Sequence, residues 1–258
     1  MKVYMMTDFE GISGVRTMEE CQTGSPEYQA ARKYLCGDVN AAVAGAFDGG
    51  ATEVVVRDGH GGGFNLILDL MDPRALYTGR GGGTWCPGLD ATFDAAFFVG
   101  AHAMAGTPKA FLEHTQSSKS WLDYRVNGRS FGEQGQFGAF CGSFGVPVVL
   151  VTGDEAACAE ARDFFAGCQT VAVKRASSRN SAICIHPQKA QEMIRAGAKR
   201  AVERAGQVKP FIVAFPAEVV MHYMRTDYAD AQASRRGVER LDSRTVKWTA
   251  ANANELLL

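Results

Sequence analysis

The amino-terminal part of the chain places two carboxylates directly after an apolar run. The run Val3–Met6 is followed by Asp8, Glu10 and the glycine Gly11. Carboxylate oxygens at the end of a strand are suitable ligands for a divalent metal, and glycine allows the backbone to turn sharply there. A helix-capping aspartate and a solvated glutamate remain the alternative interpretation, because short acidic patterns are common.

Two histidines and one further carboxylate follow in comparable positions. His60 and His102 each come after an apolar strand pattern, and Glu133 stands at a predicted helix start. The carboxyl ends of parallel strands share one edge of a sheet, so residues distant in sequence can converge there. Imidazoles and carboxylates together suit a hydrolytic zinc site. Five ligands exceed the need of one zinc, and Asp8, deepest at its strand end, is the best candidate to bridge two metals.

Taken singly, each of these residues also fits a simpler role. His60 could be a loop histidine and His102 a buried, satisfied one. The carboxylate of Glu133 would be favourable beside the helix dipole without any metal. The combination of residue types at strand ends, rather than any one of them, predicts the metal site.

A sixth residue, His114, lies near His102 in sequence but not at ligand spacing. A non-ligating histidine beside metals would be a natural general base or nucleophile, and a surface or capping histidine is the alternative.

The segment Gly128–Gly132 matches the GxSxG pattern around Ser130. A nucleophile elbow needs a buried strand before it, whereas residues 121–126 alternate polar and apolar side chains, so we do not favour a serine hydrolase.

Strand and helix patterns alternate along the chain, which predicts an α/β fold with a mostly parallel central sheet flanked by helices. A smaller C-terminal α+β subdomain is expected, with residues 1–190 as the core and 191–258 packed on it. Asn127-Gly128 predicts a hairpin turn. His222 is predicted on a short helix. The remaining predicted strands are 2–7, 52–57, 95–100, 147–152, 169–174 and 210–215; the helices are 26–47, 133–143, 154–165 and 187–205.

Composition indicates an ordinary soluble globular protein rather than a nucleic-acid or membrane protein. The 258 residues carry a net charge of -1, and 46% are apolar, so no strong field attracts polyanions. We expect no membrane span and no signal peptide. Seven cysteines without a CxxC pair argue against a disulfide framework and fit a reducing cytoplasm.

With these residues assembled, the chain resembles the DppA-type D-aminopeptidases, peptidase family M55. The segments that carry the resemblance are Thr7-Asp8-Phe9-Glu10-Gly11, Asp58-Gly59-His60, Gly100-Ala101-His102-Ala103 and Gly132-Glu133. The resemblance implies two zinc ions per subunit held by Asp8, Glu10, His60, His102 and Glu133, with Asp8 bridging. It also implies that His114 is the catalytic histidine and that the chain forms a homo-oligomer, such as a decameric ring.

The expected function is therefore a zinc-dependent aminopeptidase that removes N-terminal, in particular D-, amino acids from short peptides by a two-metal activated water. Other divalent metals are possible. One alternative is a two-metal hydrolase of another small substrate, such as a cell-wall-derived peptide amide or a phosphoester, with Arg57 and Arg80 as the nearest cations. The non-enzymatic alternative is a metal- or peptide-binding assembly protein.

Overall fold

A computed structural model describes residues 1–79, 81 and 84–257. No helix in these ranges is both long and apolar enough to cross a bilayer. The strands are β1 Lys2–Thr7, β2 Glu53–Asp58, β3 Leu76–Thr78, β4 Ala95–Ala101, β5 Trp121–Val126, β6 Arg129–Ser130, β7 Val148–Asp154, β8 Gln169–Ser178, β9 Ser181–Cys184, β10 Ala217–Tyr223, β11 Glu239–Arg240 and β12 Thr245–Ala250. The helices of more than one turn are α1 Pro26–Asp48, α2 Glu133–Ser143, α3 Glu155–Phe164, α4 Pro187–Glu203 and α5 Thr226–Ala233.

The larger sheet has seven strands in the order β3-β2-β1-β4-β7-β8-β9. All neighbours are parallel except β9, which runs antiparallel to β8. The chain leaves β1 toward β2 on one side and returns to β4 on the other. This reversal of strand order makes a crevice at the carboxyl end of β1, the place where open α/β sheets bind ligands.

Helices cover this sheet because its central strands are apolar on both faces. Every residue of β4 and β7 is buried, as expected for parallel strands enclosed by helices. α1 and α4 pack together on one face. α1 begins where the sequence predicted, with the Ser25 hydroxyl accepting from Tyr28 N and Pro26 in the first turn.

A second, antiparallel sheet has the order β11-β12-β10-β5-β6. The predicted Asn127-Gly128 turn is confirmed: both residues have positive φ and join β5 to β6. The sheet combines residues 121–130 with residues 217–250, a pairing that the sequence did not predict. The α/β class with a mostly parallel sheet is confirmed, and the domain boundary near residue 190 stays a prediction.

Two predicted elements near the carboxyl end are wrong. Residues 210–215 form no strand; the strand begins at Ala217. The Phe211 ring packs among three other phenylalanines instead, while Ile212 is 67% exposed. His222 lies in β10 rather than on a helix. The segment alternates buried residues with more exposed ones, and it pairs with β5 and β12 within the second sheet. The strand β9, which forms a hairpin with β8, was not predicted.

Candidate metal centre

Asp8 and Glu10 lie in a short loop that is bonded to the end of β4. Asp8 N donates to Val99 O at 2.8 Å, and Gly11 N donates to Gly100 O at 2.9 Å. Both carboxylates are buried. A Cβ at Gly11 would meet the backbone of Gly100 and Ala101, so glycine is required because the two backbone segments approach closely, in addition to the turn that the sequence predicted.

His60 is positioned by a loop that folds around Asp58. The Asp58 carboxylate accepts from Asn65 N at 2.6 Å, Asn65 Nδ2 at 2.6 Å and Leu66 N at 3.1 Å, and Asn65 Nδ2 also donates to His60 O. This loop places His60 Nδ1 3.1 Å from both Asp8 Oδ1 and Glu10 Oε2.

His102 and Glu133 complete the cluster from the other side. His102 Nε2 lies 3.2 Å from Asp8 Oδ2 and 3.3 Å from Glu133 Oε1. Glu133 begins α2 and accepts from Gln116 N at 2.8 Å. The His114 ring stacks on that of His102 with 4.0 Å between centroids, and its Nε2 lies 3.9 Å from Glu133 Oε1. The structure thus brings all six predicted site residues together.

Each histidine of the cluster has one ring nitrogen beside a backbone carbonyl. A nitrogen facing a carbonyl must carry a proton, so the neutral ring keeps the lone pair on its other nitrogen. In each case that other nitrogen faces the carboxylates, which is the usual arrangement of metal-binding histidines. The pairs are His60 Nε2 with Cys21 O at 3.1 Å, His102 Nδ1 with Ala103 O at 3.0 Å and His114 Nδ1 with Leu112 O at 2.8 Å.

The buried carboxylates need positive charge nearby. Burial opposes ionisation of Glu10, yet His60 outweighs burial and holds the pKa of Glu10 well below its usual value. Likewise, burial raises the pKa of Glu133, but His102 lowers it to about 2. The same contacts raise the pKa values of His60 and His102 against the effect of burial. Protonated imidazoles or divalent cations can supply this compensating charge.

Several ligand atoms of the cluster have no hydrogen-bond partner within the described chain. Asp8 Oδ2, Glu10 Oε2 and His102 Nε2 are buried and unbonded, although other polar atoms lie within 3.3 Å. Buried polar atoms are normally paired, and atoms that approach without bonding geometry suit a shared cation. The residues present therefore fit divalent metal ions.

The ligand-type atoms form two groups. Asp8, Glu10 and His60 form one, and His102, His114 and Glu133 form the other; within each group the atoms lie within 4.8 Å of one another. Asp8 belongs to the first group and contacts His102 of the second. This geometry is compatible with a bridging Asp8. It also leaves two roles for His114, a ligand or a free base.

Lys174 is a residue near the site to which the sequence assigned no role. Its ammonium is buried and donates to Glu10 O at 2.6 Å and to Val15 O at 2.7 Å. It also lies 4.7 Å from the centroid of the Phe111 ring, and burial lowers the pKa of Lys174. In the sequence, the only sign of a role for Lys174 was a charged residue within an apolar strand pattern. The hydrogen bonds of Lys174 fix the loop that carries Glu10.

Other polar candidates lie outside the cluster. Ser130 is on β6, where its hydroxyl donates to Asp123 Oδ1 at 2.9 Å. His186 caps α4 by accepting from Gln188 N. Arg57 lines the cavity of about 130 Å³ above the cluster, together with Trp85 and Gln116. Arg80 lies outside the described residues.

Comparisons with known proteins agree with this geometry. The family model described as D-aminopeptidase, peptidase family M55, matches residues 1–258. A D-aminopeptidase of Bacillus subtilis (strain 168) is 34% identical over 212 residues, which cover 81% of this chain and 77% of that protein. A solved structure is described as the Zn-dependent D-aminopeptidase DppA from Bacillus subtilis, a self-compartmentalizing protease. It aligns with a TM-score of 0.95 at 30% identity, over 99% of this chain and 94% of that one.

Proposed function

The chain belongs to the M55 D-aminopeptidase family, and on that premise we propose that it is a zinc-dependent aminopeptidase. Its substrates would be short peptides, from which it removes the N-terminal, in particular D-, amino acid. The observation that carries the proposal is the contact of Asp8 with His60 on one side and with His102 on the other. Buried, unbonded ligand atoms at this junction support a two-metal site.

Asp8 would bridge two zinc ions, with Glu10 and His60 holding one and His102 and Glu133 holding the other. When bound, such a pair supplies a Lewis acid for the scissile carbonyl and lowers the pKa of water to near neutrality. Carboxylates and imidazoles also accept other divalent metals, such as manganese or cobalt. Bound metals would neutralise Glu10 and Glu133, whose charges protonated His60 and His102 otherwise balance.

His114 is the proposed general base. Its Nδ1 donates to Leu112 O, and its ring stacks on His102, so the ring orientation is fixed. The lone pair on Nε2 faces the cavity side of Glu133 and is available to take a proton from the attacking water. The same atom can then return that proton to the amine that leaves.

We further propose that the chain works as a homo-oligomer, with a decameric ring as the form that its family implies. The solved relative is described as self-compartmentalizing. In this chain, Phe64 is 91% exposed, and Leu68 and Leu76 are also exposed. Phe64 and Leu68 line one surface cavity, and exposed apolar side chains that are grouped in this way are typical of interaction surfaces.

A two-metal hydrolase of phosphoesters or of another small substrate is the second candidate. Arg57 lines the cavity beside the carboxylate cluster, and arginine suits phosphate oxygens. The two candidates differ in the leaving group, an amine or an alcohol, so turnover of matched substrates separates them.

The test uses full-length protein that is stripped with a chelator and then reloaded with zinc. We expect hydrolysis of D-Ala-D-Ala that depends on zinc and exceeds hydrolysis of L-Ala-L-Ala, with no turnover of p-nitrophenyl phosphate. His102→Ala should lose zinc and activity together, whereas the hairpin variant Ser130→Ala should retain both. Phosphate-ester turnover without peptide cleavage would establish the second candidate instead.

A further inference from the structure

Arg57 is a buried cation that forms no ion pair within the described part of the chain. Its side chain is at the end of β2, and the residue is 2% exposed. Among the described residues, no carboxylate oxygen is found within 4 Å of its guanidinium nitrogens. The adjacent Asp58 is already engaged by Asn65 and by Leu66 N. Burial of an arginine normally requires an acidic partner.

The contacts that Arg57 does make satisfy it poorly. One terminal nitrogen faces the sulfur of Met6, which is a weak acceptor. The guanidinium carbon lies 5.5 Å from the centroid of the Trp85 ring, and Nε has no hydrogen-bond partner in the described structure. The aromatic contact offsets part of the burial cost, but among the described residues no oxygen acceptor is directed at the guanidinium donors.

Arg57 stands between two neighbouring cavities. The first, of about 130 Å³, contains the carboxylate and histidine cluster. The second, of about 390 Å³, extends from Arg57 toward Thr84 and Asn254. Trp85 and Gln116 line both. The first cavity is smaller than the roughly 300–1,000 Å³ of common ligand pockets, so it suits a small N-terminal residue. The second cavity, which shares Arg57 with the first, has room for the rest of a short substrate.

We propose that Arg57 binds the C-terminal carboxylate of a short peptide substrate, an assignment that rests on the aminopeptidase function proposed above. A carboxylate offers two oxygens to the planar guanidinium fork. The substrate would bring the acidic partner that the described residues do not supply. Arg57 would thereby select di- and tripeptides with a free carboxylate over longer or amidated peptides.

Two different roles for Arg57 would lead to different outcomes. Arg57 could be a purely structural side chain that fills the space beside Trp85, in which case its loss would affect all substrates equally. It could instead bind a phosphate oxyanion, in which case a phosphoester would depend on it and a peptide carboxylate would not.

The experiment compares D-Ala-D-Ala with its C-terminal amide on the zinc-loaded, full-length oligomer. We expect kcat/KM for the free acid to exceed that for the amide by about 10- to 100-fold, the usual effect of a charge-assisted hydrogen-bonded pair. Arg57→Gln should bring this ratio close to one, mainly through a higher KM for the acid. Arg57→Lys should retain part of the preference, and Arg195→Gln, an exposed arginine on α4, all of it.

Equal rates for acid and amide in the unaltered protein would overturn the proposal. So would an equal loss on both substrates in Arg57→Gln, or Arg57-dependent turnover of p-nitrophenyl phosphate without any preference for the free acid. If the zinc-loaded protein cleaves neither peptide, the aminopeptidase function fails. Calorimetric binding of the two uncleaved peptides then decides on Arg57: tighter binding of the acid that is lost in Arg57→Gln supports the assignment, and equal binding overturns it.

Discussion

Replacement of Gly11 by alanine should separate the loop that carries Asp8 and Glu10 from the end of β4. A Cβ at position 11 would lie 2.6 Å from the carbonyl carbon and oxygen of Gly100, and closer still to Ala101 O. Carbon and oxygen normally approach to no less than about 3.3 Å. The backbone must therefore open by roughly 1 Å, because none of these atoms belongs to a flexible side chain.

This opening has two measurable consequences. Overpacking of this kind costs about 1–3 kcal/mol in the free energy of unfolding. A displacement of about 1 Å in positioned groups can also lower a reaction rate by about 100-fold. Asp8 and Glu10 would move away from His102, which follows β4, so zinc affinity should fall together with activity.

The assays are chemical denaturation of the metal-free protein and a zinc titration against a chromophoric chelator. Gly62→Ala is the matched control, since a Cβ at that loop glycine meets no atom within 4 Å. We expect Gly11→Ala to bind zinc at least 10-fold more weakly than Gly62→Ala. Unchanged zinc affinity and stability in Gly11→Ala would refute the argument that close backbone approach assembles the site.

Three further predictions concern single side chains. His114→Ala should lower kcat by about 100- to 10,000-fold, as for loss of a general base, without loss of zinc measured by mass spectrometry; loss of one zinc would make His114 a ligand. Lys174→Met should weaken zinc binding and cost about 2 kcal/mol or more, because Glu10 O and Val15 O lose a buried charged donor; denaturation curves equal to those of an exposed Lys199→Met control would contradict this. Burial raises the pKa of Asp38 to about 6, above the value in the unfolded chain. The protonated carboxyl group therefore stabilises the fold fully below about pH 4, and about 3 kcal/mol of this stability is lost as the pH rises through about 6. Asp38→Asn should lack this loss in metal-free denaturation between pH 4 and pH 7, and an identical pH slope in both proteins would count against the raised pKa.

The part of the site that follows parallel strands could be predicted from the sequence. Asp8 and His102 come directly after β1 and β4, and His60 is the second residue after β2. Apolar runs locate such strands, and the α/β rhythm places their carboxyl ends at one edge. Local signals were therefore sufficient for these three positions.

The residues that reach the site through irregular backbone could not be placed in the same way. His114 lies in a loop in which Lys109, Leu112 and Gln116 have positive φ, whereas Glu133 begins α2 after the hairpin of β5 and β6. Residues other than glycine rarely adopt that conformation, so the sequence carries no signal for the path of this loop. The sequence named His114 and Glu133 as candidates with simpler roles left open, and the resemblance to a family implied their functions.

The second sheet and the buried cations depend on contacts between distant parts of the chain. β10 pairs with β5 about 95 residues earlier, and the apolar segment 210–215 was mistaken for its strand. Arg57 ends a β-branched run, and its burial against Trp85 is visible only in the folded chain. Periodicity describes which residues are apolar but not which strands become partners.

The stoichiometry of metal and activity tests the central claim most directly. Zinc should be added stepwise to the chelator-treated, full-length protein, with bound zinc and D-Ala-D-Ala hydrolysis measured on the same samples. We predict that activity and bound zinc rise together and level off at two zinc ions per chain, and that Asp8→Asn loses both ions. Full activity in the metal-free protein, or two ions retained by Asp8→Asn, would contradict the account.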